Sequence, residues 1–252
     1  MIDLFDIKGK KAIVTGGSRG LGKAMAQGLH DAGVELVIMG TSEKVKDVAK
    51  SMSTTDTPVH GVVADFRETH NVIMAFSEAL SILGDLDILV NNAGMQIRHP
   101  SAEFPLEDWE TVLKVNLTSA FVLSQEAGKV MLKKGCGKII NTASLLSFSG
   151  GYTVPAYAAS KGGIAQVTKA LSNEWASKGI NVNAIAPGYM DTDNIAAIKS
   201  DEVRNAQILD RIPAGRYGTP EDMIGAVLFL SSRASDYIHG SILLVDGGWM
   251  GR

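Results

Sequence analysis

Tyrosine is a poor base at its free pKa of about 10, yet the sequence places Tyr157 four residues ahead of a lysine, in Tyr157-Ala-Ala-Ser-Lys161. On a helix that separation stacks both side chains on one face. The cation then lowers the phenol's pKa and has donors left over for a ribose hydroxyl. Such a pair suits hydride chemistry. A carbinol must lose its hydroxyl proton as its C–H bond breaks, and the reverse reaction needs a proton donor at the carbonyl oxygen. Tyr-x-x-x-Lys alone is weak evidence, since helix surfaces often carry it. Ser144 adds a hydroxyl 13 residues before Tyr157, at the end of Ile139-Ile-Asn-Thr-Ala-Ser144. Ser147 lies at a different separation, and Tyr152 has no lysine four residues on.

A second group of residues suits a phosphate. Thr15-Gly16-Gly17-Ser18-Arg19-Gly20-Leu21-Gly22 follows a β-branched run and opens an amphipathic segment. Glycines at a strand-to-helix turn permit a tight reversal and close backbone approach. The helix N-terminus adds N–H groups and partial positive charge for a pyrophosphate. Gly16, Ser18, Arg19, Gly20, Leu21 and Gly22 are therefore the expected cofactor contacts here. The spacing is not G-x-G-x-x-G, and with no Gly-Lys-Ser/Thr it is not a P-loop. An acid about 20 residues past the glycines would select NAD through the adenosine ribose. Met39-Gly40-Thr41-Ser42 instead puts Gly40 at that place, with Thr41 beside it and no adjoining arginine for a 2′-phosphate. Arg19 reads either as the 2′-phosphate contact or as a solvated loop arginine, so this strand leaves NAD and NADP open.

The elements that must position these groups alternate along the chain. Strands are expected at 11–15, 35–39, 59–64, 86–90, 138–141, 181–185 and 241–245, where β-branched residues cluster. Between them, apolar residues at three- and four-residue spacing predict helices over 21–32, 72–83, 109–132, 158–175 and 223–230. This pattern implies an α/β fold of the Rossmann type, a doubly wound, mostly parallel sheet of seven strands with helices on both faces. Ligands in such sheets sit beyond the carboxyl ends of the strands. Every polar motif above falls just after a strand.

Composition narrows the class. The chain has 252 residues, 45% of them hydrophobic and 20% charged, a usage that fits a globular domain and excludes disorder or a fibrous repeat. A formal charge of −3 offers no basic field for nucleic acid. No apolar run approaches the roughly 20 residues that cross a bilayer. No leader motif opens the sequence, and a cytoplasmic protein is expected. The single cysteine, Cys136, excludes an intramolecular disulfide and is expected to be a small buried apolar side chain. The histidines show no metal-ligand spacing.

With T-G-x-x-x-G-x-G, Ser144, Tyr157 and Lys161 together, the chain resembles the short-chain dehydrogenase/reductase family, from about Ile7 to Gly248. The resemblance implies an enzyme in which Tyr157 is the acid/base, Lys161 tunes it and Ser144 polarises the substrate oxygen. Asn116, in Lys114-Val-Asn116-Leu, would complete the tetrad by supporting a water relay; taken alone it reads as a kinked-helix residue satisfying backbone groups. The family pattern also implies cofactor contacts from Asn92, Ala93 and Gly94 after the fourth strand, Asp65 and Phe66 after the third, and Pro187, Gly188, Met190 and Thr192 after the sixth. Family members pair their long helices between subunits, which implies a homotetramer.

Within that family the C-terminal half is most similar to sugar-acid dehydrogenases, which usually use NAD(H). That cofactor is the expectation, with NADP(H) as the alternative. A sugar acid needs cations and hydrogen-bond donors around it. Gln96, Arg98, Arg211 and Arg216 are the candidates, with Arg98 preferred as the carboxylate anchor, against ordinary surface, helix-capping or subunit-contact roles for the arginines. The segment 189–218 is expected to be a lid that excludes water. Two other readings stand beside this one. A 3-oxoacyl carrier-protein reductase would require NADPH and a basic docking patch. A redox sensor would bind dinucleotide without turnover.

Overall fold

The structure is a computed structural model that describes residues 3–192 and 195–252. Its seven strands form one sheet: β1 (Lys11–Thr15), β2 (Glu35–Gly40), β3 (Val59–Val63), β4 (Ile88–Asn91), β5 (Gly137–Thr142), β6 (Ile180–Pro187) and β7 (Ile242–Val245). Their order is β3-β2-β1-β4-β5-β6-β7, and every pairing is parallel. The order reverses between β1 and β4, which opens a crevice at the carboxyl edge where a ligand can lie.

Successive residues of a strand point to opposite faces, and both faces here are apolar. Ile13, Val37, Leu89 and Ile139 pack with Phe76 and Leu83 of α3 (Thr69–Leu83) and with Leu123 and Met131 of α5 (Ser119–Lys134). Their neighbours Val14, Ile38, Val90 and Ile140 pack with Met25 and Leu29 of α1 (Gly20–Asp31), Val45 of α2 (Lys44–Met52) and Val227 and Leu230 of α9 (Ile224–Ser231). These strands read as continuous β-branched runs because neither face meets water.

Three local features differ from the periodicity. The helix expected over 109–132 is α4 (Leu106–Leu113) and α5 joined by a π-helical turn over Lys114–Thr118. Helix α2 went unread because only Val45, Ala49 and Met52 of it are buried. The segment after β6 also carries two helices, α7 (Ala196–Lys199) and α8 (Glu202–Arg211). The helix carrying Tyr157 and Lys161 is α6 (Pro155–Trp175), which starts on a proline, as first-turn geometry allows.

Cys136 is exposed, at the turn between α5 and β5, and the expectation of a buried thiol is wrong. The residue lies outside the strand that begins at Gly137, and so outside the core. Among the described residues no helix is long and apolar enough to cross a membrane.

Candidate active site

The glycine turn leads directly into α1, which begins at Gly20 with Arg19 as an N-cap whose side chain makes no capping hydrogen bond to the first turn. Gly16 takes a left-handed φ of +65°, and a Cβ there would lie 2.9 Å from Asn92 Nδ2. A side chain at Gly22 would run into the carbonyl oxygen of Gly16 and the Asn92 amide. The space over Gly20 is open, with Thr192 Cγ2 at 3.9 Å as the contact a Cβ would make. The turn is thus locked from behind and open in front, a cradle for a phosphate on the uncapped helix terminus.

Asn92 and Ala93 brace that cradle. Thr15 Oγ1 accepts the N–H groups of both, each at 2.9 Å, and Asn92 Nδ2 donates to the Thr15 carbonyl at 3.1 Å. Behind them Asn91 Nδ2 donates to Asn141 Oδ1 and Ser124 Oγ, each at 2.9 Å, linking β4 to β5 and α5.

Two cavities open along the carboxyl edge of the sheet. The larger, about 880 Å³, runs from Gly40, Thr41, Asp65 and Phe66 past Gly16, Ser18, Arg19, Gly20, Leu21 and Gly22 to Asn92, Ala93 and Gly94, then to Tyr157, Lys161, Pro187 and Thr192. It gathers every expected cofactor residue except Gly188 and Met190, which line the second cavity, of about 400 Å³. The two meet at Leu21, Gln96, Tyr157, Pro187 and Thr192. Arg67 also lines the larger cavity and was not foreseen. It clasps Asp65, with Nη2 2.6 Å from one carboxylate oxygen, and holds that carboxyl below its usual range.

The end of β2 cannot take the usual acidic side chain without rearrangement. A Cβ at Gly40 would sit 3.0 Å from Val45 Cβ and 3.3 Å from Ser18 Oγ. A side chain there would press on Val45 of α2 and on Ser18, which would have to give by a few tenths of an ångström.

Ser144, Tyr157, Lys161 and Asn116 come together where the cavities join. Ser144 caps a short 3₁₀ turn after β5, its hydroxyl accepting the Leu146 N–H at 3.2 Å. Ser147 makes the reciprocal bond from the Ser144 N–H, and its own hydroxyl donates to the Lys161 carbonyl at 2.7 Å. The serine at the other separation is thus what ties the Ser144 turn to α6. Lys161 is 4% exposed, and its Nζ donates to the Thr142 carbonyl at 2.5 Å and lies 5.7 Å from the Tyr157 ring centre. Burial pulls the ammonium down to about 8. The same burial pushes the Tyr157 phenol up, and the Ser144 hydroxyl beside it partly offsets that. In the protein by itself, desolvation therefore outweighs the lowering of the phenol expected from the nearby lysine.

Asn116 sits in the π-helical turn, behind the cavity wall. Its Oδ1 accepts the Met95 N–H at 2.8 Å and its Nδ2 donates to the Met95 carbonyl at 2.9 Å and to Ser160 Oγ at 3.1 Å. Ser160 in turn donates to the Tyr157 carbonyl at 2.7 Å. The local reading of Asn116 as a residue satisfying backbone groups fits this geometry directly.

Of the four residues expected around the substrate, Gln96, Arg98 and Arg211 line the second cavity. Arg216 does not. Its guanidinium is doubly hydrogen-bonded to Asp222, at 2.6 and 2.9 Å, which holds that carboxyl down at about 2. Arg204 and Trp249 line the same cavity and were missed. Nothing in their spacing relates them to the glycine turn or the tyrosine.

Residues 16–250 match the family model described as Enoyl-(Acyl carrier protein) reductase. The chain is 50% identical to the 2-dehydro-3-deoxy-D-gluconate 5-dehydrogenase of Pseudoalteromonas atlantica and 45% identical to that of Escherichia coli K12, in each case over 100% of both chains. A crystal structure of a gluconate 5-dehydrogenase from Burkholderia cenocepacia, in complex with NADP and tartrate, matches with a TM-score of 0.95 at 37% identity, over 99% of this chain and 98% of that one. The dinucleotide in that relative is NADP, so the expected preference for NAD gains no support. With its parallel sheet, its glycine cradle and these full-length relatives, the chain belongs to the short-chain dehydrogenase/reductase family and is an oxidoreductase with a nicotinamide dinucleotide cofactor.

Proposed function

We propose that this protein interconverts a secondary alcohol and a ketone on a sugar acid, as a 2-dehydro-3-deoxy-D-gluconate 5-dehydrogenase, using NADP(H). The observation that carries the substrate class is the second cavity. It adjoins Tyr157 and is lined by Gln96, Arg98 and Arg211, the kind of residues that a polyhydroxylated carboxylate requires. The identity of the full-length relatives narrows the class to this acid.

A nicotinamide bound in the larger cavity supplies the hydride acceptor or donor. The chain's own groups manage the proton and the fit. Tyr157 gives a proton to, or takes one from, the substrate oxygen. Ser144, fixed by its turn and by Ser147, donates to that oxygen and orients it. Lys161 keeps a positive charge near the phenol and has donors for a ribose hydroxyl, while Asn116 holds the Met95 backbone and α6 in register and supports a water relay. The segment 189–218, of which 193 and 194 lie outside the described residues, closes over the substrate as a lid. Preference for NADP(H) rests on Gly40, which supplies no acid and where α2 and Ser18 pack closely, and on Arg19 at the mouth of the glycine turn. Residence in the cytoplasm and a homotetramer complete the reading. In the tetramer the exposed Leu106 and Phe121 of α4 and α5 would be covered.

The second reading, a 3-oxoacyl carrier-protein reductase, shares the carrier protein but not the reaction with the description of the matching family model, an enoyl reductase. Its acyl substrate gives no reason for arginines around the second cavity. Absorbance of the nicotinamide band decides between them. Oxidation of NADPH by the 5-oxo derivative of 2-dehydro-3-deoxy-D-gluconate, faster than by a 3-oxoacyl thioester, is the expected result. Turnover of the thioester alone would overturn the proposal, and faster oxidation of NADH than NADPH would overturn the cofactor assignment.

A further inference from the structure

Helix α8 presents Arg204, Ile208 and Arg211 at i, i+4 and i+7, one stripe along one face. Ile208 is buried with Ile195, Ile198, Ile212, Leu145 and Trp249, and this cluster seats α8 against the rest of the chain. The arginines before and after Ile208 both reach the second cavity. The Arg211 guanidinium lies 4.0 Å from the ring centre of Trp249, and that ring packs against Tyr189 with 4.7 Å between centres. A guanidinium stacked in this way gives up little rotamer freedom when it binds, and its edge remains available for a planar partner.

Charge completes the observation. The chain as a whole carries −3, yet the described lining of this cavity includes Arg98, Arg204 and Arg211 and no aspartate or glutamate. Contrast Arg216, a few residues on, which is fully engaged by Asp222. Like charges gathered around a cavity whose described lining holds no acidic residue are balanced when an anion enters. On the sugar-acid reading, the tyrosine end of the cavity takes the reacting carbon. Arg204 and Arg211 belong to the lid segment, whereas Arg98 belongs to the fixed wall and donates to the Tyr152 carbonyl at 3.3 Å.

We infer that Arg204 and Arg211, with Trp249 as the platform for Arg211, form the clamp for the substrate's carboxylate, so that the anion itself holds α8 closed over the site. The inference rests on the sugar-acid reading and adds where the charge is read. An uncharged polyol would fit the same hydroxyl donors and leave α8 unlatched. Because α8 is a short helix held mainly by one apolar cluster, its position is open to control by a ligand in this way.

The test compares D-gluconate with D-gluconamide, which has the same hydroxyls without the charge, by titration calorimetry on the NADP-loaded protein. Wild type should bind the acid at least tenfold more tightly. In R204Q and R211Q, both at exposed positions that tolerate the change, the preference should shrink by about tenfold to hundredfold, the usual worth of a charge-assisted bond. W249F, which keeps a smaller ring, should shrink it less. If wild type prefers the acid and both arginine variants keep that preference, the clamp is elsewhere and this inference fails while the sugar-acid reading stands. Loss of the preference in R98Q alone would place the carboxylate on the fixed wall and overturn it equally. A wild type that binds both compounds alike, or neither, would sink the clamp together with the substrate reading.

Discussion

Burial acts on Tyr157 and Lys161 in opposite directions, raising the phenol and lowering the ammonium to about 8. Both shifts favour neutral forms, so the pair is poised to exchange a proton with whatever binds between them. Replacing Tyr157 with Phe removes the proton donor and leaves the packing. Hydride transfer with the best substrate should fall by about 10²–10⁴-fold, and a loss under about tenfold in steady-state assays would contradict the assignment. Lys161 gives a stability prediction. Its folded pKa lies below the unfolded 10.5, so burying the charged form costs stability below pH 8, and that cost fades as pH rises from about 8 to 10.5. K161M has no such group and also loses the bond to the Thr142 carbonyl, so the stability of wild type relative to K161M should rise by on the order of 3 kcal/mol as pH climbs through that window, read from urea titrations. An equal difference at pH 7 and pH 10 would refute it.

Elements set these residues in place through bonds that cross long stretches of chain. The π-helical turn over Lys114–Thr118 brings Asn116 to the Met95 backbone, where one side chain satisfies an N–H and a carbonyl. N116A removes the partner of both part-buried groups, and should lower stability by about 1 kcal/mol per lost bond, read from chemical denaturation; an unchanged midpoint would count against this role. The seven strands were legible in the sequence because a parallel sheet covered on both faces demands long β-branched runs. The glycine turn and the Tyr157–Lys161 spacing were legible because each is local. The π turn was not, since one extra residue in a turn scarcely disturbs a three- and four-residue apolar rhythm. Helix α8 has one buried residue, Ile208, too few to show a period. Ser147, Ser160 and Arg204 matter through partners far along the chain, so nothing in their immediate neighbours marks them.

At the scale of the molecule, the two edges of the sheet have different work. Both cavities open at the carboxyl ends of the strands. The amino ends are laced by charge: Lys134 bridges Asp85 and Asp87, and Lys138 reaches Asp236 at 2.7 Å. Cys136 lies on this second edge, just ahead of β5, whose far end leads to Ser144. In the native state it should react with a thiol reagent at one equivalent per chain and leave turnover intact; a thiol that reacts only after denaturation would contradict its placement. The chain has one cysteine, at the opposite end of the strands from both cavity mouths, so it offers a unique attachment point. A maleimide-bearing electrode or bead would capture every molecule by the same atom, with its cavities turned toward the bulk liquid.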